Sequence, residues 1–445
     1  MENQTVYQNP VTLKNILAFA VPTIAMTVFM SFYTMVDGLF VSNLIGTKAL
    51  SAINLTAPII QLVTAISTML ATGGSAVIMK KMGEQKQEEA KEDFTFLILV
   101  NVFVGLVMCG LGYLVMEHVF AGMDLSTDVI MYCQAYLKPY LLFTVCILLM
   151  NNFTLYMIAS EKATLSLISS VAGGILNMVL DYVFIAGLGI GISGAAIATG
   201  MGYSVTAVVG LVVFSRKKSL LHFKKPAFRL RVLASAATNG CSEMATALVT
   251  GIVTLMFNWT MLRYVGEDGV AAVTIIMYVL MFASSLYTGY SYGVAPMLSF
   301  YYGEQNQDKL KKLVTVSLKV IGVISLLTTA ASFLLTKPLV SVFTDSENPV
   351  YDLAVNGNRI CTAALLFIGL NIFASGMFTA LSNGVVSAVL AFSRSFVFMM
   401  IAMLTLPALL RINGIWLATP AAELMAMILS VVMFFKYRKQ YGYCG

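Results

Sequence analysis

Apolar residues run along this chain in long blocks, separated by short polar breaks, from residue 14 to about residue 436. A block of about 20 apolar residues is enough for a helix to cross a bilayer. The pattern predicts twelve such spans, over 14–44, 49–80, 94–117, 129–158, 163–187, 193–215, 230–262, 269–302, 310–336, 351–380, 384–410 and 414–436. Several exceed the minimum, so tilt or protrusion beyond the lipid is expected. No stretch is left over for a soluble catalytic domain. The expected fold class is all-α integral membrane.

Composition agrees with the pattern. Of the 445 residues 59% are hydrophobic and only 11% charged, against roughly 25% charged in soluble domains. The first ten residues are polar and carry no cleavable apolar core, so the N-terminus is expected to be retained. Six scattered cysteines form no CxxC pair, and His118 and His222 are the only histidines, which argues against a thiolate or histidine metal site. The net charge of +6 by itself would suit nucleic acid, but the basic residues sit beside the spans, which favours a role in membrane topology.

Those basic residues orient the chain. Lys80, Lys81, Lys86 and Lys91 follow span two, Arg216 to Arg231 follow span six, Lys309, Lys311 and Lys312 follow span eight, and Lys436, Arg438 and Lys439 close the chain. The other connections are acidic or neutral: Glu117, Asp124 and Asp128; Glu267 and Asp268; Asp345, Glu347 and Asp352. A positive-inside reading places the basic connections and both termini in the cytoplasm, with the protein in the plasma membrane.

A repeat organises the spans. Gly83-Glu84-Gln85-Lys86-Gln87 returns 220 residues later as Gly303-Glu304-Gln305-Asn306-Gln307. The same offset pairs Gly46 with Gly266, Ala52 with Ala272, Gly73 with Gly293, Lys91 with Lys311, Asn151 with Asn371, Met157 with Met377, and Gly194, Ala198 and Thr199 with Gly414, Ala418 and Thr419. Six spans return the chain to its starting side, so the copies are parallel repeats about an axis along the membrane normal. Two pseudo-symmetric six-helix lobes enclosing a central cleft are expected: 1–218, a linker over 219–230, and 231–445.

Polar residues kept by one copy alone are the candidates for chemistry. At the repeat offset Asp37 meets Phe257, Asn177 meets Val397 and Asp181 meets Ile401. Asn177 and Asp181 lie four apart, on one helical face. Depth estimates put Asp37, Asp181 and Thr199 in the outer half of the bilayer. An aspartate at a helix centre costs roughly 2.5–3.5 kcal/mol to insert, so intramembrane acids normally face a cavity or an ion path. Asp37, Asn177, Asp181 and Thr199 together would hold Na⁺ through oxygens or carry a proton. Paired acids suit a proton, whereas the added amide and hydroxyl oxygens suit the metal ion and tilt the choice to Na⁺. The competing reading has Asp181 bonding within its lobe and Asp37 reaching for the external surface.

Other intramembrane polar residues carry less. Glu243 in span seven, opposite Thr23 in the repeat, would bind a cationic substrate or protons, or serve as a satisfied structural acid. Arg394 and Glu423 lie at similar depth and are expected to pair as a structural strut. Pro22 has no proline counterpart and permits a bend below Asp37. The chain holds 28 Met, 27 Phe and 20 Tyr, most of them expected in packing. Facing the cleft, thioethers and aromatic rings would suit planar or cationic guests. Candidates are Phe29, Tyr33, Met69, Phe153, Met157, Met178, Phe257, Met281, Tyr287 and Tyr290.

The assembled motifs resemble the multidrug and toxic compound extrusion (MATE) transporters over nearly the whole chain. The carriers are Pro22 with Tyr33-Thr34-Met35-Val36-Asp37, the two Gly-Glu-Gln turns at Gly83 and Gly303, Asn177-Met178-Val179-Leu180-Asp181-Tyr182, and Asn413-Gly414-Ile415-Trp416 running on to Glu423. The resemblance implies twelve helices in two lobes around a V-shaped cleft. It also implies export of amphipathic, often cationic compounds against Na⁺ or H⁺ entry, with Asp37, Asn177, Asp181 and Thr199 holding the coupling ion. One branch of the family carries an acid nearer the external end of span seven, where this chain has Ala247 and Gly251, so Glu243 departs from that pattern.

The expected protein is a secondary active antiporter and not an enzyme, with no cofactor beyond the coupling cation. Small organic substrates and the lipid bilayer are its partners, and it is expected to act as a monomer. A flippase for a lipid-linked sugar is the second reading, disfavoured because only Arg394 would make its cavity cationic. An integral-membrane lipid or isoprenoid enzyme is the third, lacking an aspartate-rich or histidine-bearing motif on a cytoplasmic connection. No GxxxxGK[ST] stretch supports ATP-driven pumping.

Overall fold

A computed structural model describes residues 6–44, 47–121 and 127–443. Gly46 of the repeat and Asp124 of the acidic connections lie outside the described residues, as do the side chains of Glu117 and Asp128. Every regular element among the described residues is helical. The first half contains α1 (Leu13–Leu44), α2 (Thr47–Gly83), α3 (Gln87–Ala121), α4 (Thr127–Leu142), α5 (Thr144–Ala159), α6 (Ala163–Asp181) and α7 (Ile192–Phe214). The second contains α8 (Leu230–Tyr264), α9 (Glu267–Gly303), α10 (Gln307–Leu334), α11 (Thr336–Ser341), α12 (Pro349–Cys361), α13 (Leu365–Ala380), α14 (Gly384–Phe392), α15 (Met399–Leu410) and α16 (Ile412–Tyr441).

Eleven helical stretches are each long and apolar enough to cross a membrane, and the bent pair α4 and α5, meeting at 53°, supplies a twelfth crossing. The predicted fourth span is therefore bent, while the tenth counts as continuous and passes through a 3₁₀ turn. Pro139 in α4 has no N–H to offer the carbonyl of Ala135 one turn earlier, and the hydroxyl of Ser193 takes that carbonyl at 2.8 Å instead. At the repeat offset from Phe143, where α4 gives way to α5, lies Ala363 in the 3₁₀ turn Thr362–Ala364 between α12 and α13. This turn carries no proline, so a departure from α-helical geometry at this position belongs to the repeated architecture and not to Pro139 alone.

Backbone conformation repeats as well. Gln85 and Gln305 both take left-handed φ values, 62° and 57°, in the turns after α2 and α9. Gly191 and Arg411, again one offset apart, sit at 67° and 53° before α7 and α16. Spans five and eleven each contain a π-helical turn, Tyr182–Gly187 after α6 and Ser393–Phe398 between α14 and α15, but these are not at equivalent positions.

The halves join by exchanging partners: α1 packs on α9, and α2 on α8. At the end carrying the basic connections the fit is reciprocal. A Cβ on Gly83 would stand 2.0 Å from the carbonyl oxygen of Phe300, and one on Gly303 would stand 2.0 Å from that of Lys80. Only glycine allows backbones to approach this closely. A single core cluster bridges both halves there, with Tyr7, Phe94 and Phe214 from the first and Tyr290, Phe378 and Tyr441 from the second. Away from that end, each half has its own cluster, around Tyr136 and Tyr140 in the first and around Phe257 and Trp416 in the second. The halves are thus fused at the basic end and separately packed toward the other.

The connection between α7 and α8 is tied to α3. Asp93 is fully buried and paired with both Lys81 and Arg229, the latter at 3.2 Å. Arg229 also reaches Glu92 at 3.1 Å, and Lys224 reaches Glu88 at 2.6 Å. Removing one partner of a buried pair costs at most about 3–5 kcal/mol, reduced here because water reaches Arg229. Exposed pairs contribute about 0–1 kcal/mol. Asp93→Ala is therefore expected to lower the unfolding temperature in detergent by clearly more than Glu88→Gln, and equal effects would show that the clamp is not held at Asp93.

Candidate functional site

The first half brings α1, α6 and α7 together around two acids. Asp181 ends α6, immediately before the π-helical turn, and is fully buried. Asn177, one turn earlier, donates from Nδ2 to Thr199 Oγ1 at 3.3 Å, while the Thr199 hydroxyl donates to the carbonyl of Ala195 at 2.9 Å. Asp37 on α1 brings its carboxylate within hydrogen-bonding reach of Asp181. Tyr33, Tyr136 and Tyr203 stand around the pair. Four buried oxygens there lack a donor among the described residues: Asp37 Oδ1, both oxygens of Asp181, and Asn177 Oδ1.

Buried acceptors without donors cost about 1–3 kcal/mol each, and carboxylates in contact repel. The donor set is all oxygen, which fits a hard monovalent cation or a proton shared between the acids. Among the described residues no group of three or more His, Cys, Asp or Glu is gathered as a polyvalent metal would require.

The second half has its own charged group, placed elsewhere. Arg394, in the π-helical turn of span eleven, donates from Nε to Glu423 Oε1 at 2.8 Å and to Oε2 at 3.0 Å. Asn371 Nδ2 donates to the same carboxylate at 2.7 Å, and its Oδ1 accepts from Ser430 at 3.0 Å. Arg394 and Glu243 both line a cavity of about 250 Å³ with Thr246, Thr288, Ser291 and Tyr292. A smaller cavity of about 180 Å³ between the halves is lined by Met26, Met30 and Met150, and shares Thr72, Leu155 and Tyr292 with the first.

The family model for MatE matches the chain twice, over residues 22–183 and 244–404, once in each half. This chain belongs to the MatE family. It is a multi-pass membrane transporter and not an enzyme. Among curated relatives, the multidrug export protein MepA of Staphylococcus haemolyticus (strain JCSC1435) is 21% identical over 429 residues, covering 96% of this chain and 94% of the relative. MepA of Staphylococcus aureus (strain NCTC 8325 / PS 47) is 21% identical over 443 residues, covering 98% and 96%. Of solved structures, a MATE protein in complex with MaL6 superposes with a TM-score of 0.91 at 21% identity, covering 99% of this chain and 98% of that one. An outward-facing multidrug resistance MATE family transporter of the MOP superfamily gives 0.91 at 21%, covering 99% of each. These likenesses show the fold, twelve helices in two lobes, for this MatE protein.

Several side chains expected at the cleft point elsewhere. Phe153 and Met157 are fully buried in the bridging core, Phe153 packing on Phe214 and Phe223. Phe257 lies in the core private to the second half. Tyr287 and Tyr290 turn toward α10, bonding Thr328 and Ser317. Met69, Met178 and Met281 are half-buried and line neither cavity, while Phe29 packs against Gly174 beside Tyr33. The correction has one cause: in an all-apolar helix the composition is similar on the lipid, lobe and cleft faces, so periodicity does not sort them. Sequence reasoning missed the cleft methionines Met26, Met30 and Met150, and also Tyr203 and the cavity hydroxyls. Tyr203 had a signal, being the repeat counterpart of Glu423.

Glu423→Gln leaves Arg394 without its carboxylate and is expected to cost about 3–5 kcal/mol. Glu243→Gln breaks no hydrogen bond among the described residues and is expected to shift the unfolding temperature far less. Thermal unfolding of both variants in one detergent checks the contrast.

Proposed function

We propose that this MatE protein is a cation-driven exporter that expels amphipathic organic compounds, often cationic, by alternating access between its lobes. The observation that carries this reading is the group of donorless oxygens on Asp37, Asp181 and Asn177. A cation among its oxygens would relieve their mutual repulsion, and a small cation entering down its gradient is the available energy source in a fold with no nucleotide motif. Thr199 accepts from the Asn177 amide nitrogen, and the amide oxygen is left buried without a donor among the described residues. The close approach of Asp37 to Asp181 supports a shared proton, and the amide oxygen supports Na⁺.

The cleft chemistry supports an amphipathic guest. Met26, Met30 and Met150 give a deformable apolar wall, Tyr292 an aromatic face, and Glu243 a negative charge. The basic end, where the lobes are fused, faces the cytoplasm in this reading, so the cleft opens outward. Export by the MepA relatives supports the direction. A bacterial plasma membrane and a monomeric state complete the proposal.

Reconstitution tests it. A fluorescent organic cation is loaded into proteoliposomes and its release followed under an imposed Na⁺ or pH gradient. One gradient is expected to drive release in the parent, and Asp37→Asn to reduce it at least ten-fold. If neither gradient drives release, the antiport reading fails. Unchanged ion dependence in Asp37→Asn would remove that residue from the coupling site.

A further inference from the structure

The cavity lined by Glu243 and Arg394, which Thr72, Ser75, Ala76 and Leu155 of the first half also line, holds a charge pattern that the coupling reading does not use. Glu243 lines it, makes no hydrogen bond among the described residues, and lies within electrostatic reach of Arg394. Arg394 spends only its Nε on Glu423. Guanidinium carries five donors in a planar fork, so the two terminal amino groups remain for another partner. The cavity therefore offers one carboxylate and one bidentate donor within the same space.

We propose that this cavity is a binding subsite for a small zwitterion, whose ammonium group is held by Glu243 and whose carboxylate is held by the terminal amino groups of Arg394. A simple cation on Glu243 would meet the Arg394 charge, and a simple anion on Arg394 would meet both Glu243 and Glu423. A ligand carrying both charges a few bonds apart satisfies each and repels neither. Hydroxyls of Thr246, Thr288 and Ser291 supply neutral partners around it. Size narrows the class further. Pockets for drug-sized ligands run roughly 300–1,000 Å³, so a cavity of about 250 Å³ takes a ligand of aromatic amino-acid size, or the zwitterionic head of a larger one. Its lining continues into the interlobe cavity through Thr72, Leu155 and Tyr292, which gives an apolar tail somewhere to lie.

The charged residues of the subsite all come from the second half. The repeat counterparts of Glu243, Arg394 and Glu423 are Thr23, Gly174 and Tyr203, none of them charged. It goes beyond the coupling role given to Asp37 and Asp181 and does not depend on it.

The test is equilibrium binding to the full chain in lipid nanodiscs, with no ion gradient, by isothermal titration of three matched probes. These are 2-naphthylalanine, its methyl ester, which is a cation, and its N-acetyl derivative, which is an anion. The zwitterion is expected to bind at least ten-fold more tightly than either. Glu243→Gln should remove that preference over the N-acetyl derivative, and Arg394→Lys, which keeps the charge and loses the fork, should remove it over the ester. Both variants are checked for monodispersity and unfolding temperature first. Equal binding of the ester, equal binding of the N-acetyl probe, no binding of any probe, or an unchanged ranking in Glu243→Gln would each overturn the proposal. The ranking is also measured in Asp37→Asn, where it should persist. Loss of the preference with gradient-driven efflux intact removes the subsite alone, and the reverse removes the coupling reading alone.

Discussion

Lipid offers a polar group no external partner, and much of this fold answers that constraint. Where Pro139 frees the carbonyl of Ala135, Ser193 takes it; where Pro420 frees that of Trp416, the thiol of Cys361 takes it at 3.2 Å. Asn101 and Asn152, both fully buried, exchange two hydrogen bonds at 2.8 and 3.2 Å. Thr23, Thr27, Thr68 and Thr72 turn their hydroxyls back on carbonyls of their own helices. Other buried groups, such as Tyr156 Oη, Tyr301 Oη and Trp416 Nε1, lack a partner singly among the described residues, whereas the four donorless oxygens of Asp37, Asp181 and Asn177 belong to one group of side chains.

Duplication supplies the frame and divergence supplies the chemistry. The reciprocal glycine contacts at Gly83 and Gly303, the left-handed turns at Gln85 and Gln305, and the departures from α-helical geometry in spans four and ten are common to both halves. The charged residues are not. The first half gathers two acids with an amide, whereas the second pairs an arginine with Glu423 and sets Glu243 on the same cavity, at positions that do not correspond under the repeat. In each half the π-helical turn falls at the ionisable residue, beside Asp181 in one and around Arg394 in the other. A π turn shifts side chains off the regular 3.6-residue register and releases backbone bonds, a local deformation found frequently at functional sites.

The fusion of the lobes at one end gives these sites their mechanical setting. Close backbone approach at Gly73 and Gly240, and at Gly83 and Gly303, leaves little room for sliding there, so relative motion is concentrated where each lobe has its own core. Thr27 crosses between the lobes to the carbonyl of Ser285 at 2.8 Å, near the middle of α1 and nearly three turns before Asp37. Asp37 thus sits on a helix that is itself packed against the opposite lobe.

By itself the sequence determined the membrane class, the crossings, the repeat and the acids of the first half. Apolar blocks set by bilayer thickness, motif recurrence at a constant offset and the cost of a charge in hydrocarbon are all one-dimensional signals. Tertiary structure alone decided which faces of uniformly apolar helices meet the cleft, and so replaced Phe153, Met157, Tyr287 and Tyr290 with Met26, Met30 and Met150. It also decided that Arg394 keeps its terminal amino groups free of Glu423 and shares a cavity with Glu243, residues separated by 151 positions in the chain. The reason is geometric: a helix whose every face is apolar carries no periodic mark of its neighbours, and only packing assigns each face to lipid, lobe or cavity.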